Sequence, residues 1–418
     1  MRRLLPILPG FLLALASVRA GAEGFRLMIG PDRSVVRELR EVTFTATVHD
    51  VVFENIPATA DLESLQVGGD RQGVKLLSWQ RLRAPEARAS QVTWRAGQPV
   101  RPDPVIPAGG GVLCRLETSS MRPRQIELIY QLSGLTWRAD YDIIIRGDIA
   151  NHLEPLSLDL NARVVLSNGT PRAFPGAQVV LVGRDEQAKV TAPAAGQLML
   201  DDLSPLADLW RTRPDAPGQT HAYPLPDAVS LPALGEVSIQ LAKAGRQPSE
   251  RLYSMETELG FLQDEGPWQP LHRYLVLRND PGHGLGLALP PGEAMIFLGG
   301  VRGGLYQQAQ LAHTARGEEL RISLGTSRGV TAHRRTERRA PGVVGSPEQS
   351  VVLQLANALP TAVNVEVWER PPVPLAWDVV RSSRPFERHG QRLFYTLQVE
   401  ARSEAEIDYT VRLTEPEP

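Results

Sequence analysis

Hydrophobic and polar residues alternate with a period of two along most of the chain. In the segment 156–166 every second residue is apolar: Leu156, Leu158, Leu160, Ala162, Val164 and Leu166. Side chains of a strand point alternately to opposite faces, so this pattern predicts a strand with one buried and one solvated face. The 36 Gly and 35 Pro residues favour turns over long helices. The chain is therefore expected to be all-β, with antiparallel β-sandwich units.

The last part of the chain, residues 344–418, contains four alternating segments in close succession. They are centred on Leu353, Val365, Leu397 and Tyr409, and turn residues such as those of "ANALPTA" lie between them. Short strands at this spacing are typical of an antiparallel sandwich of immunoglobulin-like size. We therefore expect an immunoglobulin-like β domain at 344–418.

Strand-like segments before this region predict two further β domains. Residues 23–125 include "VVRELREVTF" and "VKLLSWQRL" and are expected to form an N-terminal β domain, followed by a central β-sandwich at 126–343. Three segments, "VVLSNGTP", "LVLRNDPGHG" and "LQLANALP", share a strand followed by Asn and then Pro. We interpret them as similar strand ends in repeated sandwich units.

Residues 186–220 lack the alternation. Their sequence is rich in Pro and Ala, and Ser204 before Pro205 is a good start for a short helix. An irregular segment of this length inside a compact domain is usually functional or disordered. We expect a long irregular insertion in the central domain, which proteases should cut before the strands.

The segment "YQLSGLTWRADYDI" at 130–143 combines aromatic residues with charges. From position 137 the alternation is strict, with Trp137 and Tyr141 on one face and Asp140 and Asp142 on the other. The two carboxylates are roughly 7 Å apart along the strand, and this spacing is compatible with an acid–base pair. Exposed strand carboxylates beside an arginine are more often solvated ion pairs, which is the interpretation we favour.

The first 22 residues have the features of a secretory signal peptide. Arg2 and Arg3 precede an apolar run, and Ala20 and Ala22 fit cleavage after Ala22, with cleavage after Ala20 as a close alternative. The run is shorter than the ~20 residues of a spanning helix, and no later segment is long and apolar enough to span a bilayer. We expect an exported protein, periplasmic or secreted, that starts at Glu23.

Charge and cysteine content narrow the range of partners. The formal net charge is −2, and loss of the signal peptide's arginines makes the exported protein more acidic. Such a protein has no overall electrostatic attraction to nucleic acid, which is not expected as a partner. The single cysteine, Cys114, forms no intrachain disulfide, so we expect a buried thiol and a core of ordinary size.

One motif favours an enzyme. "GTSRG" at 325–329 matches G-x-S-x-G, and Asp378 and His389 follow in the order found in hydrolases. The motif exposes its Ser327 only where a strand turns into a helix, and "VTAHRRTERR" has no apolar helical stripe. The eight His residues have no ligand spacing, and no phosphate loop or dinucleotide fingerprint is present. We therefore expect no catalytic residues, no metal and no cofactor, with a hydrolase as the alternative.

The basic cluster "HRRTERR" at 333–339 contains Arg334, Arg335, Arg338 and Arg339. It could bind an anionic partner such as lipopolysaccharide or an acidic protein. Arginines on a solvated edge strand also discourage sheet-to-sheet association, and this second interpretation is favoured. The four arginines are therefore only weak candidates for partner binding.

Taken in order, these segments resemble a family of exported bacterial proteins, the domain of unknown function 4139 family. The likeness runs from "YQLSGLTWRADYDI" through "LNARVVLSNGTPRAFPGAQVVLV" and "VVLQLANALPTAVNVEVWERPP" to "YTLQVEARSEAEIDYTVRL". "VVFENIPATADLESLQV" resembles the short domain that usually precedes it. The resemblance implies export and a β-rich fold and supplies no catalytic residues. Some relatives, the mucoidy inhibitor A-like proteins, carry a coiled-coil insertion that this chain lacks, so their binding behaviour is not carried over.

The sequence therefore predicts an exported, non-enzymatic cell-envelope protein that binds another macromolecule, such as an envelope protein or a polysaccharide. A hydrolase acting on envelope or extracellular material is the alternative. The two functions need different sites. An enzyme needs converging polar groups in a concave site, whereas a binding protein needs an exposed apolar or basic patch.

Overall fold

The fold consists almost entirely of β-strands. The computed structural model describes residues 16–17, 24–68, 73–82, 110–119, 121–185, 219–258, 264–299, 303–338, 348–370 and 376–414. Within them the only regular element other than a strand is a three-residue 3₁₀ turn at Pro281–His283. The predicted all-β fold is confirmed. The predicted signal peptide (except 16–17) and residues 186–218 of the predicted insertion lie outside the described residues, and Gln219 begins a strand.

The strands are numbered in chain order. The first twelve are β1 (Ala16–Ser17), β2 (Phe25–Ile29), β3 (Ser34–Val42), β4 (Val48–Glu54), β5 (Ala60–Val67), β6 (Val74–Leu82), β7 (Gly111–Thr118), β8 (Arg124–Leu132), β9 (Leu135–Arg146), β10 (Leu156–Asn168), β11 (Phe174–Asp185) and β12 (Gln219–Pro224). The others are β13 (Val229–Leu231), β14 (Gly235–Glu258), β15 (Asp264–Glu265), β16 (Gln269–Arg278), β17 (Gly292–Leu298), β18 (Leu305–Leu311), β19 (Glu319–Arg338), β20 (Glu348–Asn357), β21 (Val363–Arg370), β22 (Ala376–Ser382), β23 (Glu387–His389), β24 (Arg392–Val399) and β25 (Ser403–Thr414).

The chain divides into two compact units, each built from separated segments. The first unit contains Met1–Arg138, Val165–Arg184 and Thr220–Ser238, and the second contains the remaining segments, Ala139–Val164, Asp185–Gln219 and Ile239–Pro418. The chain passes from one unit to the other within β9, β10, β11, β12 and β14. The three consecutive domains expected from the sequence stay a prediction, since compactness does not show which segments fold independently.

Two sheets form the first unit. One has the strand order β12-β11-β2-β3-β8-β5, with β13 beside β11, and the other has the order β1-β4-β7-β6. Burial follows the alternation of the sequence. In β7, Val112, Cys114 and Leu116 are buried while Arg115 between them is exposed. Cys114 therefore occupies the buried strand position that the sequence predicts.

Part of the second unit has a sandwich-like arrangement with a shared buried cluster between its layers. In one layer β14 lies between antiparallel β16 and parallel β21, and β21 continues to β24 and β23. The other layer contains β20, β25 and β22, and the long strand β19 pairs with both β16 and β20. Side chains from both layers share one buried cluster, which includes Tyr253, Val365, Trp377, Tyr395 and Ile407.

The segment 130–143 forms the end of β8 and most of β9. Ala139, Tyr141 and Ile143 are buried, as the alternation predicts. Trp137 is only partly buried, and its indole N–H donates to the Val182 carbonyl at 3.2 Å. The aromatic face of this segment is thus mainly a core face.

Three buried asparagines, Asn168, Asn279 and Asn357, stand at the repeated strand ends. Each side-chain amide donates to two or three backbone carbonyls at 2.7–3.2 Å. Each Oδ1 accepts a backbone N–H in return. A buried amide that is fully hydrogen-bonded ties the strand end to other chain segments. The three strand ends are therefore alike in structure as well as in sequence.

Candidate functional site

The basic cluster predicted at 333–339 is dispersed by the alternation of β19. The side chain of Arg334 is largely buried, with 18% exposure, whereas Arg335 is exposed. Arg338 ends β19, and Arg339 lies outside the described residues. Neighbouring residues of a strand face opposite sides, so Arg334 and Arg335 do not form one continuous cationic patch.

A buried carboxylate holds Arg334 inside the second unit. Its Nη2 lies 3.3 Å from Oε2 of Glu369, whose side chain is 0% exposed, and its Nη1 donates to the Glu258 carbonyl at 2.8 Å. Burial raises the pKa of Glu369, while Arg334 and the hydroxyls of Thr257 and Tyr409 oppose the rise. These contacts give Arg334 a structural role.

The first unit contains another buried charge cluster. Glu38 accepts hydrogen bonds from Arg172 Nη1 at 3.1 Å, Arg40 Nε at 3.1 Å and the Tyr130 hydroxyl at 3.3 Å. Arg40 also donates to the Glu54 carbonyl at 3.1 Å. Burial, with the charge of Glu38, raises the pKa of Tyr130, so its phenol stays protonated. Because the groups are partnered by one another, this cluster is structural.

The carboxylates of β9 take part in polar contacts on the sheet face. Asp142 Oδ2 lies 3.0 Å from Arg163 Nη2, and Asn161 donates to the same oxygen at 3.4 Å. Asp140 also interacts with a neighbouring group. This arrangement favours the ion-pair interpretation of Asp140 and Asp142 over an acid–base pair.

The G-x-S-x-G segment lies inside β19, which continues as a strand to Arg338. Ser327 is buried, and its hydroxyl oxygen accepts the backbone N–H groups of Gly329 and Val330 at 3.2 Å each. The hydrolase motif requires a sharp turn from strand to helix that exposes the serine. Here the strand continues past the serine, as expected from the sequence that follows it.

The other two residues of the hydrolase hypothesis pair with different neighbours. Asp378 lies 3.6 Å from Arg388, and His389 Nε2 lies 3.1 Å from Glu387. A triad needs the histidine between the serine and the aspartate. The contacts of Asp378 and His389 do not supply that arrangement.

Two observations on the described part of the chain concern metal ligands and the thiol. Nowhere in it do three or more His, Cys, Asp or Glu side chains lie together as metal ligands would. Burial raises the pKa of the Cys114 thiol to about 12, so the reactive thiolate is scarcely formed at neutral pH.

The second unit contains a polar cleft. Its volume is about 350 Å³, within the range of pockets that hold a small molecule or part of a larger one. Its lining residues are His152, Glu250, Arg251, Tyr253, Thr361, Ala362, Val363, Asn364 and Gln398. We call it the β14 cleft, because β14 contributes Glu250, Arg251 and Tyr253.

Strand geometry brings a phenol and two guanidinium groups to one face of the β14–β16 pair. Arg251 and Tyr253 are two residues apart in β14, so their side chains point to the same side. Arg273 of β16 lies directly opposite Tyr253 in the antiparallel register. Side chains of such directly opposed residues are neighbours.

Arg251 also fixes the segment that carries His152. Its two terminal nitrogens donate to the carbonyls of Asn151, at 2.9 Å, and Glu154, at 3.0 Å. Burial, with the like charge of Arg273, lowers the pKa of Arg251. The guanidinium is therefore bonded to neutral oxygens and is partly withdrawn from water.

Arg273 is likewise bonded to neutral oxygens. Its Nη2 donates to the Tyr306 hydroxyl at 3.0 Å and to the Leu324 carbonyl at 3.2 Å. Within the described residues, neither Arg251 nor Arg273 has a carboxylate within 4.0 Å. Among the described residues, Arg251 in the cleft lining and Arg273 opposite Tyr253 are therefore cations without an ion pair.

Three buried polar atoms around the β14 cleft have no hydrogen-bond partner among the described residues: His152 Nδ1, Tyr253 Oη and Arg273 Nε. Tyr253 is 0% exposed. Burial raises the pKa of Tyr253. Burial, together with Arg251 and Arg273, lowers the pKa of His152. At neutral pH the cleft lining thus combines a neutral phenol and a neutral imidazole with the Arg251 guanidinium, and Arg273 lies opposite Tyr253 in the neighbouring strand.

Sequence reasoning singled out no residue of the β14 cleft. His152 belongs to the scattered histidines, and "ERLYSM" predicts only a strand. One sequence feature could have indicated the site: Arg251 is two residues from Tyr253 and so occupies the face of the strand that enters the core. An arginine on a core face needs a specific partner, because burying a charge is costly.

No protein-family model matches the chain, and no curated protein matches it. The resemblance to the domain of unknown function 4139 family therefore stays a prediction. The described part of the chain contains no helix with the length and hydrophobicity needed to cross a bilayer.

Proposed function

We propose that the protein is an exported, non-enzymatic cell-envelope protein that binds another macromolecule through the β14 cleft. The predicted signal peptide at 1–22 supports export to the periplasm or beyond, and the family resemblance supports the same compartment. The partner is an envelope protein or a polysaccharide, and the C-terminal strands form an immunoglobulin-like part of the binding protein.

The observation that carries the proposal is the presence of buried hydrogen-bonding atoms without a described partner on residues that line the β14 cleft. Tyr253 Oη and His152 Nδ1 are buried but bond to no described residue. A buried polar group without a partner costs about 1–3 kcal/mol, so a ligand that bonds to these atoms recovers this energy. Asn364 and Gln398 at the rim are exposed, and a large molecule can therefore reach the cleft.

The lining residues favour binding over catalysis. An activated nucleophile needs a base within hydrogen-bonding reach. Apart from Tyr253, the only hydroxyl in the lining belongs to Thr361, and His152 Nδ1 makes no hydrogen bond to it. The cleft thus offers donors and acceptors to a ligand without a nucleophile–base pair.

Site-specific photocrosslinking in the native envelope tests this function. A photoreactive residue at Gln398 should give one discrete covalent adduct. The same residue at Glu404, which is exposed and outside the cleft lining, should not. An equal pattern of adducts from both positions, or no adduct from Gln398, would contradict binding through the β14 cleft.

A further inference from the structure

We infer that the β14 cleft contains an anion subsite that takes a carboxylate or phosphate group of the bound macromolecule. The inference rests on the proposed function and adds the chemical class of the group that the cleft recognises.

The charge of the cleft is the first argument. Arg251 and Arg273 lie on one face of adjacent strands, and neither has a carboxylate within 4.0 Å among the described residues. Like charges that are partly withdrawn from water repel each other more strongly than they do in solution. An anion bound beside them replaces this repulsion by attraction, whereas a cationic ligand group would increase it.

The unused donors are the second, independent argument. The Tyr253 hydroxyl and the Arg273 Nε–H can each donate a hydrogen bond, and both atoms are buried without a partner in the described residues. Anionic oxygens accept such hydrogen bonds about twice as strongly as neutral oxygens do. Tyr253 lines the cleft while its side chain is 0% exposed and belongs to the buried core cluster, so its position is fixed by the core.

The residues at the rim of the cleft limit the kind of chemical group that can lie next to the anionic group of the ligand. Glu250 lines the cleft and is exposed, so its carboxylate stands where the ligand continues into solvent. A second negative charge on the ligand at that point would be repelled. The cleft therefore suits a single anionic group attached to a neutral or cationic portion, and disfavours a continuous polyanion. Asn364 and Gln398, also at the rim, can hydrogen bond to a neutral portion.

Titration of the purified protein with sulfate and with acetate tests the inference. Sulfate represents the tetrahedral phosphate group, and its charge is constant across neutral pH. Acetate represents the planar carboxylate. Binding is followed by calorimetry at constant ionic strength. Tighter binding of sulfate supports a phosphate group, and tighter binding of acetate supports a carboxylate.

Two variants and a matched control make the test specific. Arg251→Gln should weaken anion binding at least about tenfold, because a charge-assisted hydrogen bond is lost. Tyr253→Phe should weaken it about fivefold while the protein remains folded, since only an unbonded hydroxyl is removed. Arg278→Gln removes the same charge from an exposed side chain in β16 and should change the affinity less than about twofold.

The outcomes separate this inference from the proposed function. If neither anion binds, or if Tyr253→Phe and Arg278→Gln bind both anions as the unmodified protein does, the anion subsite is wrong, whether or not Gln398 forms an adduct. If anions bind as expected and Gln398 forms no adduct, the anion subsite stands and binding of a macromolecule is the part that fails.

Discussion

Glu369 is a carboxylate fully removed from water, and Arg334 is its ion-pair partner. Removing one partner of a buried ion pair is costly because the remaining charge has neither water nor a counterion. This pair shows why a basic residue in a sequence cluster need not bind a partner molecule. Arg334 precedes the exposed Arg335 in the sequence, but its side chain faces the core.

Replacing Arg334 tests this structural role. Arg334→Met should reduce the free energy of unfolding by about 3–5 kcal/mol, because it leaves Glu369 buried and unpaired. Arg335→Met, at the exposed neighbouring position, should cost less than about 1 kcal/mol. Urea unfolding measures both. Adding Glu369→Gln to Arg334→Met should restore much of the loss, and a double variant as unstable as the single one would show that the carboxylate is not the cause.

The raised pKa of Glu369 predicts a pH dependence of stability. The folded protein holds the proton of Glu369 more tightly than the unfolded chain, whose glutamate pKa is near 4.5. The stabilisation is complete below that pH and is lost as the pH rises through the higher folded-state pKa. Glu369→Gln lacks this titration. Its stability relative to the unmodified protein should therefore rise with pH above about 4.5, which urea unfolding at a series of pH values checks. A pH-independent difference would contradict the raised pKa.

At the scale of elements, the three asparagine strand ends hold segments that are distant in sequence. Asn357 donates to the carbonyls of Thr361, Val399 and Glu400, so one side chain connects the end of β20 to the end of β24. The sequence motif predicted similar strand ends. It could not predict that the amide is buried, because its carbonyl acceptors come from other strands.

Replacing the amide by a carboxylate should break these connections. Asn279→Asp and Asn357→Asp each remove the buried amide donors for three backbone carbonyls and should cost more than about 3 kcal/mol. Asn364→Asp, at an exposed position, should cost less than about 0.5 kcal/mol. Thermal melts of the three variants compare them directly. Similar melting temperatures for all three would mean that the buried amides stabilise the strand ends little.

At the scale of the whole molecule, local patterns predicted the strands but not their pairing. Alternation is a property of a few neighbouring residues, and it correctly indicated the buried faces of β7 and β9. Strand β14 pairs in parallel with β21, where Leu252 is the register partner of Asn364. Nothing in either segment specifies a partner so far away in the chain. The β14 cleft was missed for the same reason, because Arg251 and Arg273 meet only through the pairing of β14 with β16.

The single cysteine reports on the first unit. Cys114 is buried in β7 and its thiol pKa is raised to about 12. A thiol reagent should therefore react slowly with the folded protein and rapidly once the unit unfolds. The labelling rate with and without urea measures this difference. Fast labelling of the folded protein would contradict the burial of Cys114.

Asn168 is followed by Gly169, and such an Asn–Gly pair is where an ageing protein most readily loses a side-chain amide. The loss begins when the Gly169 nitrogen attacks the side-chain carbonyl carbon of Asn168. In the first unit that N–H donates to the Gly134 carbonyl at 2.7 Å, and Asn168 Oδ1 accepts the N–H of Thr170. These two hydrogen bonds thus protect the Asn168 amide from deamidation in the folded protein. The fraction of deamidated Asn168 in a stored sample would then increase with the time that the first unit had been locally unfolded.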